Sequence, residues 1–310
     1  MRKQFCDAMV RRSGVKRDMV FLTGDLGFMA LEPVAAALGT KFVNAGVAEQ
    51  NMVSVAAALC RAGFEAWAYS IAPFCYARPF EQIRNDVTFH RLPVKLVGNG
   101  GGYGYGVMGP THHAIEDYGI LLTLDHLRVY CPVFDEDVAA AVESAAAWPY
   151  AAYLRLGRGE PPTGFSVPAY APWRQLVTGR GRALVIAVGP LASTYIAALQ
   201  ALPENDRPNL WALAELPIDP TGLPAALVAQ IQAAAMVCVA EEHVARGGAG
   251  MDLATTFLRE GIAVRRFVHL HALSHIYDTY GSQGFLRKQS RLDPQSLLHV
   301  LAAEKTGDSA

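Results

Sequence analysis

A single acid, Glu49, sits in the run Asn44-Ala45-Gly46-Val47-Ala48-Glu49-Gln50-Asn51-Met52, among small or apolar neighbours. The run follows a strand-like Lys41-Phe42-Val43 and opens a helix of small residues, Val53 to Cys60. A carboxyl group held in such a low-dielectric wall is expected to have a raised pKa and to share a proton with a ligand. An acid at a helix start also has a plainer use, complementing the helix dipole, and position alone favours that use. His112, in Gly109-Pro110-Thr111-His112-His113, carries an imidazole that can give and take a proton near neutral pH. Without context, a lone loop histidine is more often a surface or satisfied residue. Asp25, in Gly24-Asp25-Leu26-Gly27, ends the strand-like Met19-Val20-Phe21-Leu22-Thr23, at the sheet edge where α/β sites gather. The stretch Gly98-Asn99-Gly100-Gly101-Gly102-Tyr103-Gly104-Tyr105-Gly106 follows a strand but matches neither the Walker A nor the dinucleotide fingerprint. It reads as a flexible loop whose glycines let a ligand or partner chain come close.

Five segments acquire a common meaning when taken in order. They are Arg2-Lys3, Gly46-Val47-Ala48-Glu49-Gln50-Asn51-Met52, Phe80-Glu81-Gln82-Ile83-Arg84-Asn85, Gly109-Pro110-Thr111-His112, and Glu241-Glu242-His243 followed by Gly247-Gly248-Ala249-Gly250. On these segments the chain resembles the pyrimidine-binding and C-terminal domains of the transketolase superfamily over nearly its whole length. The A-E-Q-N-M and G-P-T-H elements are specific together and weak alone.

The resemblance implies that Glu49 exchanges a proton with the aminopyrimidine ring of thiamine diphosphate, which requires one carboxyl in a dry site. It implies that the ring of Phe74 stacks on that heterocycle. Ile71 stands where transketolases often carry a second aromatic, so aliphatic packing is expected there. His112 is expected to handle protons on substrate oxygens, and Asp25 to lie near the cofactor. His113 replaces a usual glutamine. Arg2 and Arg155 match family arginines that bind substrate phosphate through a planar fork of donors. Gly100 stands where a phosphate-binding His is common, and Met108 where an Asp contacts a sugar hydroxyl. Both polar contacts are absent, which points to an acceptor other than an ordinary aldose phosphate.

The superfamily's metal-diphosphate motif begins G-D-G and ends in Asn. Gly24-Asp25 with Asn51 imitates it loosely, but Leu26 replaces the last glycine and Asn51 belongs to the A-E-Q-N-M element. The resemblance therefore implies that a separate diphosphate-binding subunit holds the diphosphate and Mg²⁺. The chain is then half of a split enzyme in an α2β2 assembly, and inert alone.

These residues need a scaffold, and the pattern supplies one. Strand-like and helix-like segments alternate along both halves, which predicts two α/β domains with mostly parallel sheets. Residues 1–158 read as the pyrimidine-binding domain and 181–303 as the transketolase C-terminal-like domain. Between them, 159–180 is broken by Pro161, Pro162, Pro168 and Pro172 and reads as a linker, and 304–310 as a frayed tail. At 310 residues, 52% apolar and 18% charged, the chain can bury sizeable cores, and a net charge of −1 argues against a nucleic-acid or membrane surface. The five cysteines form no C-x-x-C, which suits buried reduced thiols in a cytoplasmic protein. No signal peptide or membrane-spanning run is apparent. The nine histidines show no metal-ligand spacing. Glu241-Glu242-His243, leading into Gly247-Gly248, is expected to fix a turn and an interface rather than to do chemistry.

Together these features predict the pyrimidine-binding subunit of a thiamine diphosphate-dependent transketolase-like enzyme. It would cleave a ketose or 2-oxo acid and pass a two-carbon unit to an acceptor. The alternatives are the β subunit of a 2-oxo acid dehydrogenase first component, a synthase condensing pyruvate with an aldehyde, and a non-catalytic scaffolding subunit.

Overall fold

Among the described residues twelve strands arise from short β-branched and aromatic runs: β1 (Met19–Thr23), β2 (Phe42–Asn44), β3 (Glu65–Ile71), β4 (Lys95–Asn99), β5 (Leu127–Tyr130), β6 (Ala151–Leu156), β7 (Trp173–Val177), β8 (Ala183–Val188), β9 (Asn209–Leu213), β10 (Glu215–Leu216), β11 (Met236–Val244) and β12 (Phe267–Ala272). This computed structural model describes residues 1–275 and 278–306. The first sheet has the order β10-β5-β6-β4-β3-β1-β2 and the second β12-β11-β8-β9-β7. All pairings are parallel except β10 with β5 and β7 with β9.

Parallel sheets need cover on both faces, and β1, β6 and β8 are buried at every residue. Strand alternation splits the first sheet's side chains between two cores. Phe21, Trp67 and Tyr69 face one side, where Phe5 stacks on Tyr69 at 5.7 Å. Leu22, Ala66 and Ala68 face the other, against Ala56 and Ala57 of the helix Glu49–Arg61. Their small side chains let that helix lie close to the sheet. Full burial of each large aromatic contributes about 1.5–3 kcal/mol.

β2 lies on one side of β1 and β3 on the other. The chain thus reverses direction of build at β1, and the crevice at the carboxyl ends of these strands is the expected ligand position. The Gly24-Asp25 turn, the Glu49 helix, the Phe74 segment and the glycine-rich loop leave from the carboxyl ends of β1, β2, β3 and β4 respectively.

Three details differ from the sequence-based expectation. β7 lies inside the stretch expected as a linker: Trp173–Val177 pairs with β9 as the edge of the second sheet. β10 crosses back, pairing Glu215 with Tyr130 and Leu216 with Val129 in the first sheet. Exposed proline-rich flanks obscured the first, and a two-residue strand has no periodicity to read. The last helix runs Pro294–Thr306, past the expected end at 303, and 307–310 lie outside the described residues.

The Glu-Glu-His run joins the two halves. Glu241, fully buried, accepts from the backbone N–H groups of Ala249 (2.8 Å) and Gly250 (2.9 Å), from Tyr118 Oη, and pairs with His269. Glu242 accepts from the Tyr103 N–H at 2.9 Å and pairs with Arg287 at 2.7 Å. The run therefore anchors the second domain to the glycine-rich loop of the first. No helix of the described residues is long and apolar enough to cross a membrane.

Candidate active site

Glu49 is the first residue of its helix and only 5% exposed. Its carboxylate lies beside Gly24, where a Cβ would come within 3.7 Å of Oε1. The Gly24-Asp25 turn is held against the Glu49 segment by the Asp25 N–H, which donates to the Gly46 carbonyl at 2.8 Å. Asn44 braces the same turn: its side chain donates to Asp25 at 3.0 Å and accepts from the Gly46 N–H at 2.8 Å. Asp25 itself is exposed.

Phe74 belongs to the short helix Ala72–Tyr76, started by Pro73 directly after β3, and is half-buried. Ile71, the last residue of β3, is half-buried. His112 meets the Phe74 ring edge-on, with centroids 5.1 Å apart, and Tyr105 from the glycine-rich loop lies 6.4 Å from the imidazole. Thr111 Oγ1 is 2.9 Å from His112 Nδ1. Burial, and then the charge of Arg78, push the His112 pKa below the ordinary histidine value. The imidazole is thereby kept neutral and able to accept a proton. His113 points elsewhere: it is buried, edge-on to Tyr103 at 5.3 Å.

The wall around Glu49 is not wholly apolar, although its sequence neighbours are. Arg78 Nη1 donates to both carboxylate oxygens at 3.1 Å, and the guanidinium lies 3.7 Å above the centroid of Phe74. A planar, hydrogen-bond-donating group thus already rests on the ring and against the acid. An aminopyrimidine needs a flat face to stack on and a carboxyl group to exchange a proton with its ring nitrogen, so Glu49 and Phe74 fit that part of thiamine diphosphate. Among the described residues there is no group of three His, Cys, Asp or Glu able to hold a metal ion.

A second cleft adjoins this one through Tyr105. Arg2, Lys3, Asn99, Gly100, Tyr105 and Arg158 line it. Asn99 Nδ2 donates to Tyr105 Oη at 2.6 Å and fixes the ring. Gly100 has φ +80°, and a Cβ there would sit 2.2 Å from the Tyr105 ring. The ring occupies the space that a histidine at this position needs. Met108 is 56% exposed on the turn Gly106–Met108.

The expectation for Arg155 is corrected. Its guanidinium pairs with Asp117 at 2.7 Å and donates to the carbonyls of Ala114 (2.9 Å) and Glu242 (3.0 Å), with 5% of the side chain exposed. Burial works against its charge, but Asp117 more than offsets this and holds the pKa well above the ordinary value. Arg155 is a structural tie, closed to a substrate phosphate. Arg158, exposed just past β6, lines the cleft beside Arg2. The strand runs on past Leu154 to Leu156 and is buried throughout, and a charge inside such a strand must be paired. Arg78 and Tyr105 were also missed, although Arg78 lies four residues past Phe74, the spacing of helical neighbours.

The profile for "Transketolase, pyrimidine binding domain" matches residues 1–163. The chain belongs to this family. A subunit of the apulose-4-phosphate transketolase of Phocaeicola vulgatus is 27% identical over 273 residues, 85% of each chain. The protein of the same name from Actinobacillus succinogenes is 26% identical and spans 96% of this chain and 97% of its own. A solved structure described as "Split gene transketolase, inactive beta4 tetramer" superposes with a TM-score of 0.81 at 27% identity, over 98% of this chain and 97% of that one. This transketolase-family chain thus has the length of a split subunit, and its two sheets are those of the split transketolase. Membership of the family implies dependence on thiamine diphosphate.

Proposed function

We propose that this chain is the pyrimidine-binding subunit of a thiamine diphosphate-dependent transketolase, transferring a two-carbon ketol unit and active only with a separate diphosphate-binding subunit in an α2β2 assembly. The observation that carries this reading is the slot between the Phe74 face and the Glu49 carboxylate, with His112 at its edge. When bound, thiamine diphosphate supplies the nucleophilic carbon and the electron sink for cleavage next to a carbonyl. Glu49 Oε1 or Oε2 holds the proton exchanged with the ring nitrogen facing it. Phe74 orients the ring by stacking. His112 Nε2 accepts and returns protons at substrate oxygens, a role suited to an imidazole held neutral. Helix and sheet behind Glu49 exclude water and strengthen each contact.

The cleft sets Arg2, Lys3 and Arg158 against Asp135, which pairs with the N-terminal amine, and Glu160; the surplus of cations suits an anionic end of the substrate. Gly100 and Met108 place no polar side chain where sugar-phosphate contacts are common in the family. These features support an acceptor other than an ordinary aldose phosphate. Full activity with xylulose 5-phosphate and ribose 5-phosphate would count against that specialisation. Mg²⁺ belongs to the partner subunit in this reading, and the setting is the cytoplasm. Neither 2-oxo acid dehydrogenase nor scaffolding is favoured by an observation at the site.

Reconstitution tests the proposal. The chain alone is expected to show no ketol transfer, in keeping with the inactive β-only assembly of its split relative. Addition of the diphosphate-binding subunit, thiamine diphosphate and Mg²⁺ is expected to restore it. Full activity of the isolated chain contradicts the split.

A further inference from the structure

Arg78 sits on the turn after the helix Ala72–Tyr76, and its side chain is 49% exposed. Its guanidinium makes two kinds of contact, one with the face of Phe74 and one with both oxygens of Glu49. Among the described residues it has no other hydrogen-bond acceptor. Guanidinium is a flat, delocalised cation with donors in its own plane. An amino-substituted pyrimidine shares that flat shape, and its ring nitrogen reaches for the same carboxyl group, accepting its proton or donating once protonated. Both groups need the same ring face and the same carboxyl group, so they compete for one position. Arg78 is held there only by contacts that a competitor would replace, and its side chain, half-exposed, has solvent to swing into.

We infer that Arg78 is an internal placeholder: in the cofactor-free chain it fills the slot between Phe74 and Glu49, and thiamine diphosphate enters by displacing it. The inference rests on the pyrimidine-binding reading above. Self-occupancy gives the free subunit two benefits. The buried Glu49 carboxylate is never left without a hydrogen-bonding partner, and the apolar ring is not bared to solvent before assembly. The cost falls on cofactor affinity, because each binding event must first break an ion pair and a cation–π contact. Such a competing state lowers apparent affinity by the fraction of chains in which the slot is free.

Thiamine diphosphate titrations of the reconstituted complex, followed by calorimetry with Mg²⁺ constant, test this. Arg78→Ala and Arg78→Gln are expected to tighten binding about tenfold, the joint worth of one partly exposed ion pair and one cation–π contact. Arg78→Lys keeps the charge but not the plate, and is expected to fall between them and the wild type. Thiamine without its diphosphate should show the same order, since the competition concerns the pyrimidine alone. Unchanged or weaker binding by Arg78→Ala, in a complex that assembles and melts normally, overturns the inference and makes Arg78 a permanent positioning residue for Glu49. If the wild-type complex binds no thiamine diphosphate at all, the pyrimidine-binding reading itself fails.

Discussion

Arg78, Glu49, Phe74 and His112 form one electrostatic unit. The cation rests on the ring, pairs with the acid and lowers the pKa of the imidazole after burial has done so first. Removing the positive charge favours the imidazolium, so Arg78→Ala is predicted to raise the His112 pKa relative to the wild type. Histidine ring NMR across pH 4 to 8 (an ordinary titration window) reads this directly. A fall would mean that Arg78 does not face His112 in solution. The family resemblance singled out the acid, ring and imidazole, and the fold brings the three together around Arg78. Arg78 was not singled out, because a half-exposed arginine past a helix end resembles any surface charge until its neighbours are known. Gly100 was legible as a missing polar contact. Its reason, the Tyr105 ring against a backbone at φ +80°, required coordinates.

At the scale of elements, β6 shows how burial outranks a local likeness. The segment Ala151–Leu156 is buried throughout, so Arg155 is held by Asp117 and two carbonyls instead of reaching a ligand. Arg155→Leu leaves Asp117 charged and unpaired inside the protein. It is predicted to destabilise the chain by about 3–5 kcal/mol, measured by urea unfolding. Loss of substrate affinity with unchanged stability would restore the phosphate-binding role to Arg155. The alternation of strand and helix was readable along both halves because parallel strands covered on two faces are continuous apolar runs. The edge strand β7 and the two-residue β10 were not readable: an edge needs few apolar residues, and Glu215–Leu216 is defined by its partner β5.

Across the whole molecule, the five thiols are all buried and unpaired by disulfides. Burial pushes the Cys75, Cys131 and Cys238 thiols up to about 12, and raises Cys6 and Cys60 as well. A raised folded-state pKa gives stability that is complete below the unfolded value, near 9.0, and is lost as pH climbs towards the folded value. Lys95 runs in the opposite sense: burial lowers it to about 8, so its penalty is relieved as pH rises towards 10.5. Three strongly shifted thiols outweigh one amine. The melting temperature is therefore predicted to fall steadily above about pH 9, each thiol contributing about 1.4 kcal/mol per pH unit. Cys238→Ala should flatten the fall by one thiol's share in scanning calorimetry, and an unchanged slope would show that the thiol titrates normally.

The two domains act together through Glu241 and Glu242, which tie the second sheet to the loop bearing Tyr103 and Tyr105. All of the chemistry assigned to this chain passes through the proton on Glu49. The most direct measurement is turnover of Glu49→Gln in the reconstituted complex, with assembly and thiamine diphosphate binding monitored in parallel. Turnover is predicted to drop by about a hundredfold or more while the complex still assembles. Near-normal turnover by the fully assembled variant would contradict the account.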